Sequence, residues 1–266
     1  MRWSVLISVA LIAGAIAGGD LAVAAGPDSK SEQADTQTIV ATVDVKLVIA
    51  VDVSYSMDLD ELVVQREGSA QAIVSKEFLQ ALKTGPNGKV AVTYFEWSAS
   101  SDQRIIIPWR VIDGPKTAHA VAAEIMKAPV ERGSRTSISG AINFAMPLFE
   151  TSPYRGLRRV IDISGDGPNN SGAPVTSPRD AALEKGITIN GLPIMVEEPS
   201  LATMDIDNLD FYYEDCMVGG PSSFVVSIKD RDKFKEAIRT KLQLEAAGQI
   251  PEHQVDPAAE KKPRVS

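Results

Sequence analysis

The sequence predicts an α/β protein: a doubly wound, mostly parallel six-stranded sheet with one antiparallel edge strand. Three observations carry this expectation. Over residues 44–247, β-branched runs alternate with segments of helical apolar spacing, the pattern of strands separated by covering helices. The first run, 43–53 (VDVKLVIAVDV), has the continuity of a strand buried on both faces. The second and third runs follow each other too closely for a crossover helix, so they are read as antiparallel neighbours.

The elements follow in order. After the first strand, residues 60–82 place Leu62, Val63, Ala70, Ile73, Val74, Phe78 and Leu82 at spacings of three and four, which predicts a helix. Gly85-Pro86-Asn87-Gly88 is a turn, and 89–97 (KVAVTYFEW) is the second strand. The third, 103–112 (QRIIIPWRVI), contains Pro108, which lacks an N–H and confines the strand to an edge. Helices are predicted over 116–127 and 137–149, a strand over 159–164 (RVIDIS), and a helix over 179–185. Strands over 187–196 and 223–228 (SFVVSI) and a closing helix over 230–247 complete the pattern. Residues 201–217 suggest a helix with an irregular end.

Outside this region the composition changes. Residues 1–25 combine a short cationic start, a small apolar run and Ala22-Val23-Ala24-Ala25, the layout of a cleavable signal peptide; an uncleaved anchor is the alternative. An exported protein, periplasmic or secreted, is therefore expected, with no stable membrane span after cleavage. Residues 26–43 read as a polar linker and 248–266 as a disordered tail.

Composition narrows the chemistry. Among 266 residues, 27 Lys and Arg stand against 35 Asp and Glu, a net charge of −8, which argues against a nucleic-acid partner. One cysteine excludes an internal disulfide framework and a Cys-rich zinc site; two histidines leave little room for His-based metal or triad chemistry. Oxygen atoms must carry the function. In doubly wound folds ligands bind beyond the carboxyl ends of the strands. There the first strand ends in Asp52-Val53-Ser54-Tyr55-Ser56, where alternation points Asp52, Ser54 and Ser56 the same way. Ser134-Arg135-Thr136-Ser137 presents a hydroxyl before a helix, and Ser164-Gly165-Asp166-Gly167 turns sharply behind a carboxylate. Two carboxylates and three hydroxyls suit Mg²⁺, with Mn²⁺ or Ca²⁺ as alternatives, and disfavour Zn²⁺ or Cu²⁺.

These residues resemble the metal-ion-dependent adhesion site of the von Willebrand factor A domain: DVSYS at 52–56, Thr136 in the second loop and Asp166 in the third. The resemblance covers about 44–247 and includes the antiparallel edge strand. It implies that Ser54, Ser56 and Thr136 touch the ion directly, while Asp52 and Asp166 hold it partly or wholly through water. The segments YFEWS, SISGAI, ISGDGPNN and INGLPI further resemble an uncharacterised exported bacterial subfamily of that fold. The function implied is adhesion-type binding, with an Asp or Glu of a protein partner completing the coordination. A metal-dependent hydrolase and a structural subunit of an envelope assembly are the alternatives; hydrolysis would need a positioned base, and His119 and His253 read as a surface and a tail residue.

Around the site, Tyr55, Glu96, Arg135, Asn169 and Asn170 are candidates for a partner-binding rim, against the plainer readings of loop packing, a strand end and solvated loops. Asp58 and Glu61 match a capping box, and Asp60 is likewise given to the helix start rather than to a second ion. Met126, Met146 and Met195 fall at core-like positions, and Cys216 is read as a small buried residue.

Overall fold

A computed structural model describes residues 41–196, 206–249 and 251. The segment read as a signal peptide, most of the linker and tail, His253 and residues 201–205 lie outside the described residues. Five strands form the sheet: β1 (Ala41–Asp52), β2 (Val90–Trp97), β3 (Gln103–Ile112), β4 (Tyr154–Gly165) and β5 (Thr188–Pro193), in the order β3-β2-β1-β4-β5. β1 pairs in parallel with β2 and β4, β4 with β5, and only β3 runs antiparallel, against β2. The β2–β3 register shifts between Val92 and Phe95, opposite the stretch containing Pro108, so the edge strand accommodates its missing donor with an irregularity.

Helices α1 (Leu59–Val74), α2 (Lys76–Leu82), α3 (Pro115–Lys127), α4 (Ile138–Thr151), α5 (Thr176–Glu184), α6 (Leu209–Tyr212) and α7 (Phe234–Ala247) complete the layers. Alternation along β1 divides the core. Val45, Leu47, Ile49 and Val51 join residues of α1, α2, α3 and α7 on one face. Val48 and Ala50 join Phe95, Trp97 and residues of α4 and α5 on the other. β1 is thus the central strand, covered on both sides, as its sequence predicts.

Three expectations need correction. The sixth strand is not formed: 223–228 makes only isolated bridges, Gly191 with Val225 and Ile194 with Ile228. The reason is visible in β5. Gly191 N–H donates to the Phe224 carbonyl and Met195 N–H to the Ile228 carbonyl, but the residue midway between them is Pro193, which has no N–H to give. The predicted 60–82 helix is two helices, because Ser75 leaves helical geometry at ψ 151° and caps α2 by accepting the Phe78 N–H at 3.1 Å. Met126 is exposed, off the apolar face of its helix, whereas Met146 and Met195 are half-buried and pack against the core as expected.

The strand order determines where a ligand can sit. From β1 the chain builds outward to β2 and β3, then crosses to β4 and β5 on the opposite side. The order reverses at β1 and β4, which leaves a crevice beyond their carboxyl ends. Asp52 and Asp166 stand at those two ends.

Candidate metal centre

Three loops meet in this crevice. The first leaves β1 at Asp52 and enters α1, whose N-cap is Asp58; the Asp58 side chain accepts the Glu61 N–H at 2.6 Å and Glu61 accepts the Asp58 N–H at 3.1 Å. This capping box fixes where the loop ends. Asp52 Oδ1 accepts the Ser54 N–H at 2.8 Å, which folds the loop back over the strand end. The Ser54 and Ser56 hydroxyls are 2.8 Å apart, and the Ser56 hydroxyl donates to Asp166 Oδ1 at 2.8 Å. Asp52, Ser54, Ser56 and Asp166 therefore form one continuous hydrogen-bonded chain across two strand ends.

The second loop brings Thr136. Gly133 N–H donates to the Val53 carbonyl at 2.9 Å, and Ser137 N–H to the Ser98 carbonyl at 2.7 Å. Thr136, itself buried, exchanges backbone bonds with the third loop: its N–H donates to Asn170 Oδ1 at 2.8 Å, and its carbonyl accepts the Asn170 N–H at 2.9 Å. Asn169 Oδ1 accepts the Ser139 N–H at 2.9 Å. The two asparagines thus tie the Asp166 loop to the start of α4.

Electrostatically the crevice is out of balance. Asp52 is 0% exposed, and its Oδ2 has no hydrogen-bond partner among the described residues. Burial, and then the charge of Asp166, push the Asp52 carboxyl well above the usual carboxylate range. Gly165 permits the crowding: a Cβ there would lie 2.8 Å from Asp52 Oδ2 and 2.9 Å from the Tyr213 hydroxyl oxygen. Tyr213 is also fully buried with an unpartnered hydroxyl, and burial, Asp52 and Asp166 push its phenol up. Among the described residues no group of three or more His, Cys, Asp and Glu is placed to hold a metal ion. A divalent ion held here would rest on two carboxylates and neutral hydroxyls. That donor set suits a hard cation, and the orphaned Asp52 oxygen is where such an ion is wanted.

The rim residues separate by environment. Tyr55 is 62% exposed beside the crevice, and the Arg132 guanidinium lies 5.3 Å from its ring centroid while donating to the Tyr55 carbonyl at 2.6 Å. Arg135 is exposed, with a left-handed φ of 68°. The Asn169 and Asn170 side-chain oxygens are committed to the backbone bonds above. Glu96 is not on the rim: it is 3% exposed, paired with buried Arg66, and receives Arg104 at 2.7 Å. Arg66 also donates to the Ala128 and Pro129 carbonyls, so this cluster fastens α1 and β2 to the segment leading into the Thr136 loop. His119 is exposed on α3, and Cys216 is half-buried. Sequence reasoning missed Tyr213 and Tyr212, whose hydroxyl accepts the Asn169 N–H at 3.2 Å. Tyr213 opens a π-helical turn (Tyr213–Met217) after α6, which gives the described part of 201–217 the irregular helical end expected of it.

Residues 42–250 match the family described as "Protein of unknown function (DUF1194)", and the chain belongs to that family. A comparison with curated proteins gives no match. Solved structures of like fold include a von Willebrand factor type A protein from Catenulispora acidiphila (TM-score 0.53, 15% identity), covering 78% of this chain and 43% of that one. Proximal thread matrix protein 1 of the mussel byssus gives TM-score 0.52 at 12% identity in a form with a zinc-occupied MIDAS motif, over 77% of this chain and 46% of that one. The pilus adhesin SpaC of Lactobacillus rhamnosus GG gives 0.56 at 13% identity, over 78% and 30%. The fold is thus of the von Willebrand factor A type, and this chain spans less than half the length of each of these proteins.

Proposed function

We propose that this chain is an exported binding domain that holds a divalent cation, Mg²⁺ or Mn²⁺ before Ca²⁺, between Asp52, Ser54, Ser56, Thr136 and Asp166. Through that ion it binds an exposed Asp or Glu of a protein partner. The observation that carries this reading is the buried, unpartnered Asp52 Oδ2 at one end of a hydrogen-bonded chain that reaches Asp166. The zinc-occupied motif of the mussel protein and the adhesin role of SpaC support it by analogy of fold.

Each residue has a part in this. Asp52 and Asp166 supply the negative charge, and Gly165 lets the backbone pass close to Asp52. Ser54, Ser56 and Thr136 contribute neutral oxygens, so they do not cancel the charge of a bound cation. When bound, such an ion supplies a positive centre able to accept an anionic oxygen. Asn169 and Asn170 hold the loops, while Tyr55 and Arg135 lie where a partner would approach.

The test is affinity capture from an exported-protein extract with the full chain, in Mg²⁺ and in EDTA. Partners retained in Mg²⁺ should be released by EDTA and not captured by Asp52→Ala. Partners indifferent to both would show that the metal face is not the interface.

A further inference from the structure

Six residues before Asp52 on β1, about 20 Å away along the strand, the sheet holds a second unbalanced charge. Lys46 is 7% exposed. Its ammonium donates to the Phe149 carbonyl at 2.5 Å and lies 5.8 Å from the Phe149 ring centroid. The β1–β4 register places Arg159 directly beside it. Arg159 donates to the Lys185 carbonyl, and Arg155, two positions before Leu157 and four before Arg159, lies on the same side of β4. Among the described residues none of these three cations has a carboxylate partner; the one carboxylate lining the cavity, exposed Glu150, is paired with Lys185 at 3.0 Å.

A carbonyl takes up one of the three Lys46 donors and an aromatic face lies near, but neither neutralises the ammonium. Burying an ammonium without a counter-ion is costly, and a like charge directly opposite adds to the cost. Burial, and then Arg159, hold the Lys46 ammonium below its ordinary range. Packing does not call for a cation here, since an unbranched apolar side chain would fill the same space. The backbone accommodates the lysine: a Cβ at Gly156 would meet Lys46 Cγ at 2.6 Å. These groups line a cavity of about 560 Å³ beside α4 and the start of β4.

We propose that this cavity binds a phosphate group, held by the Lys46 ammonium and the Arg159 guanidinium, with Arg155 at its mouth. The guanidinium offers the paired donors that phosphate oxygens take up, and Lys46 supplies a charge with no other counter-ion. The phosphate belongs to a free phosphate compound or to a lipid headgroup; Leu157, 60% exposed between Arg155 and Arg159, borders the site in either case.

The experiment uses the full chain in EDTA, which keeps it independent of the metal site. One arm titrates inorganic phosphate and pyrophosphate by calorimetry. The other measures cosedimentation with phosphatidylcholine vesicles, with and without phosphatidylglycerol. Binding in the first arm identifies a soluble phosphate, and binding in the second alone, dependent on the anionic lipid, identifies a headgroup. In either case Arg159→Gln should weaken binding about tenfold or more. Lys46→Met should abolish binding and raise the melting temperature of the free protein; if it fails to fold, Arg159→Gln decides. Lys116→Gln, which alters an exposed lysine on α3 that does not line this cavity, should bind phosphate as the unmodified chain does. Silence in both arms, or equal binding by Arg159→Gln, would overturn the proposal.

Discussion

At Asp52 the central strand presents a buried carboxylate with an unpartnered oxygen, and at Lys46 it presents a buried ammonium without a counter-ion. Between these two places buried charge is set against charge of the opposite sign. Lys241 donates to Asp162 and, at 2.7 Å, to Glu245, whose same oxygen also accepts Asn190 Nδ2 at 3.0 Å. Glu96 is held between Arg66 and Arg104. Asp162 and Glu96 each have a cation against them, whereas Asp52 faces the like charge of Asp166 and Lys46 that of Arg159, and the two proposals rest on that difference.

The largest expected effect tests the balanced side of this contrast. Glu96→Ala leaves Arg66 buried without its carboxylate, and the loss should be about 3–5 kcal/mol. That corresponds to a fall in melting temperature of roughly 6–20 °C. A negligible change would mean that an unpaired buried cation is tolerated here, and the argument drawn from Lys46 would weaken. Lys46→Met should move stability in the opposite direction, because it removes a charge that has no partner.

A smaller effect sharpens the picture at Glu245. Burial, then the charge of Asp162, against the opposing pull of Lys241, raise its carboxyl from 4.5 to about 7. A folded value above the unfolded one gives stability that is complete below pH 4.5 and is lost as pH rises through about 7. Thermal melts at pH 5 and pH 8 should therefore show Glu245→Gln gaining on the unmodified protein by a few degrees at the higher pH. A difference independent of pH would mean that Glu245 stays ionised and that Lys241 compensates both carboxylates throughout.

Much of this could be read from the sequence, and the exceptions have physical causes. The central strand was legible because burial on both faces makes 43–53 nearly continuous in apolar and β-branched residues. The hydrogen-bonded set Asp52, Ser54, Ser56 and Asp166 was legible because a strand end imposes alternation and a glycine marks the turn. The absent sixth strand was not, since SFVVSI has strand propensity of its own and the obstacle, Pro193, sits on its neighbour. Glu96 was misplaced for a similar reason: its partners Arg66 and Arg104 lie on other elements. The Lys46–Arg159 juxtaposition depends on a register between strands more than a hundred residues apart, which no local pattern encodes.

The central claim is that the Asp52 crevice is completed by a divalent cation. Its most direct test is the melting temperature of the full chain in EDTA against saturating Mg²⁺ or Mn²⁺, measured beside Asp52→Ala. At an ion concentration ~100 times Kd, linkage gives about 2.7 kcal/mol. For a domain of this size that is a rise of roughly 5–10 °C. The account expects this rise in the unmodified chain and none in Asp52→Ala; no rise with any divalent ion, or an equal rise in the variant, would contradict it.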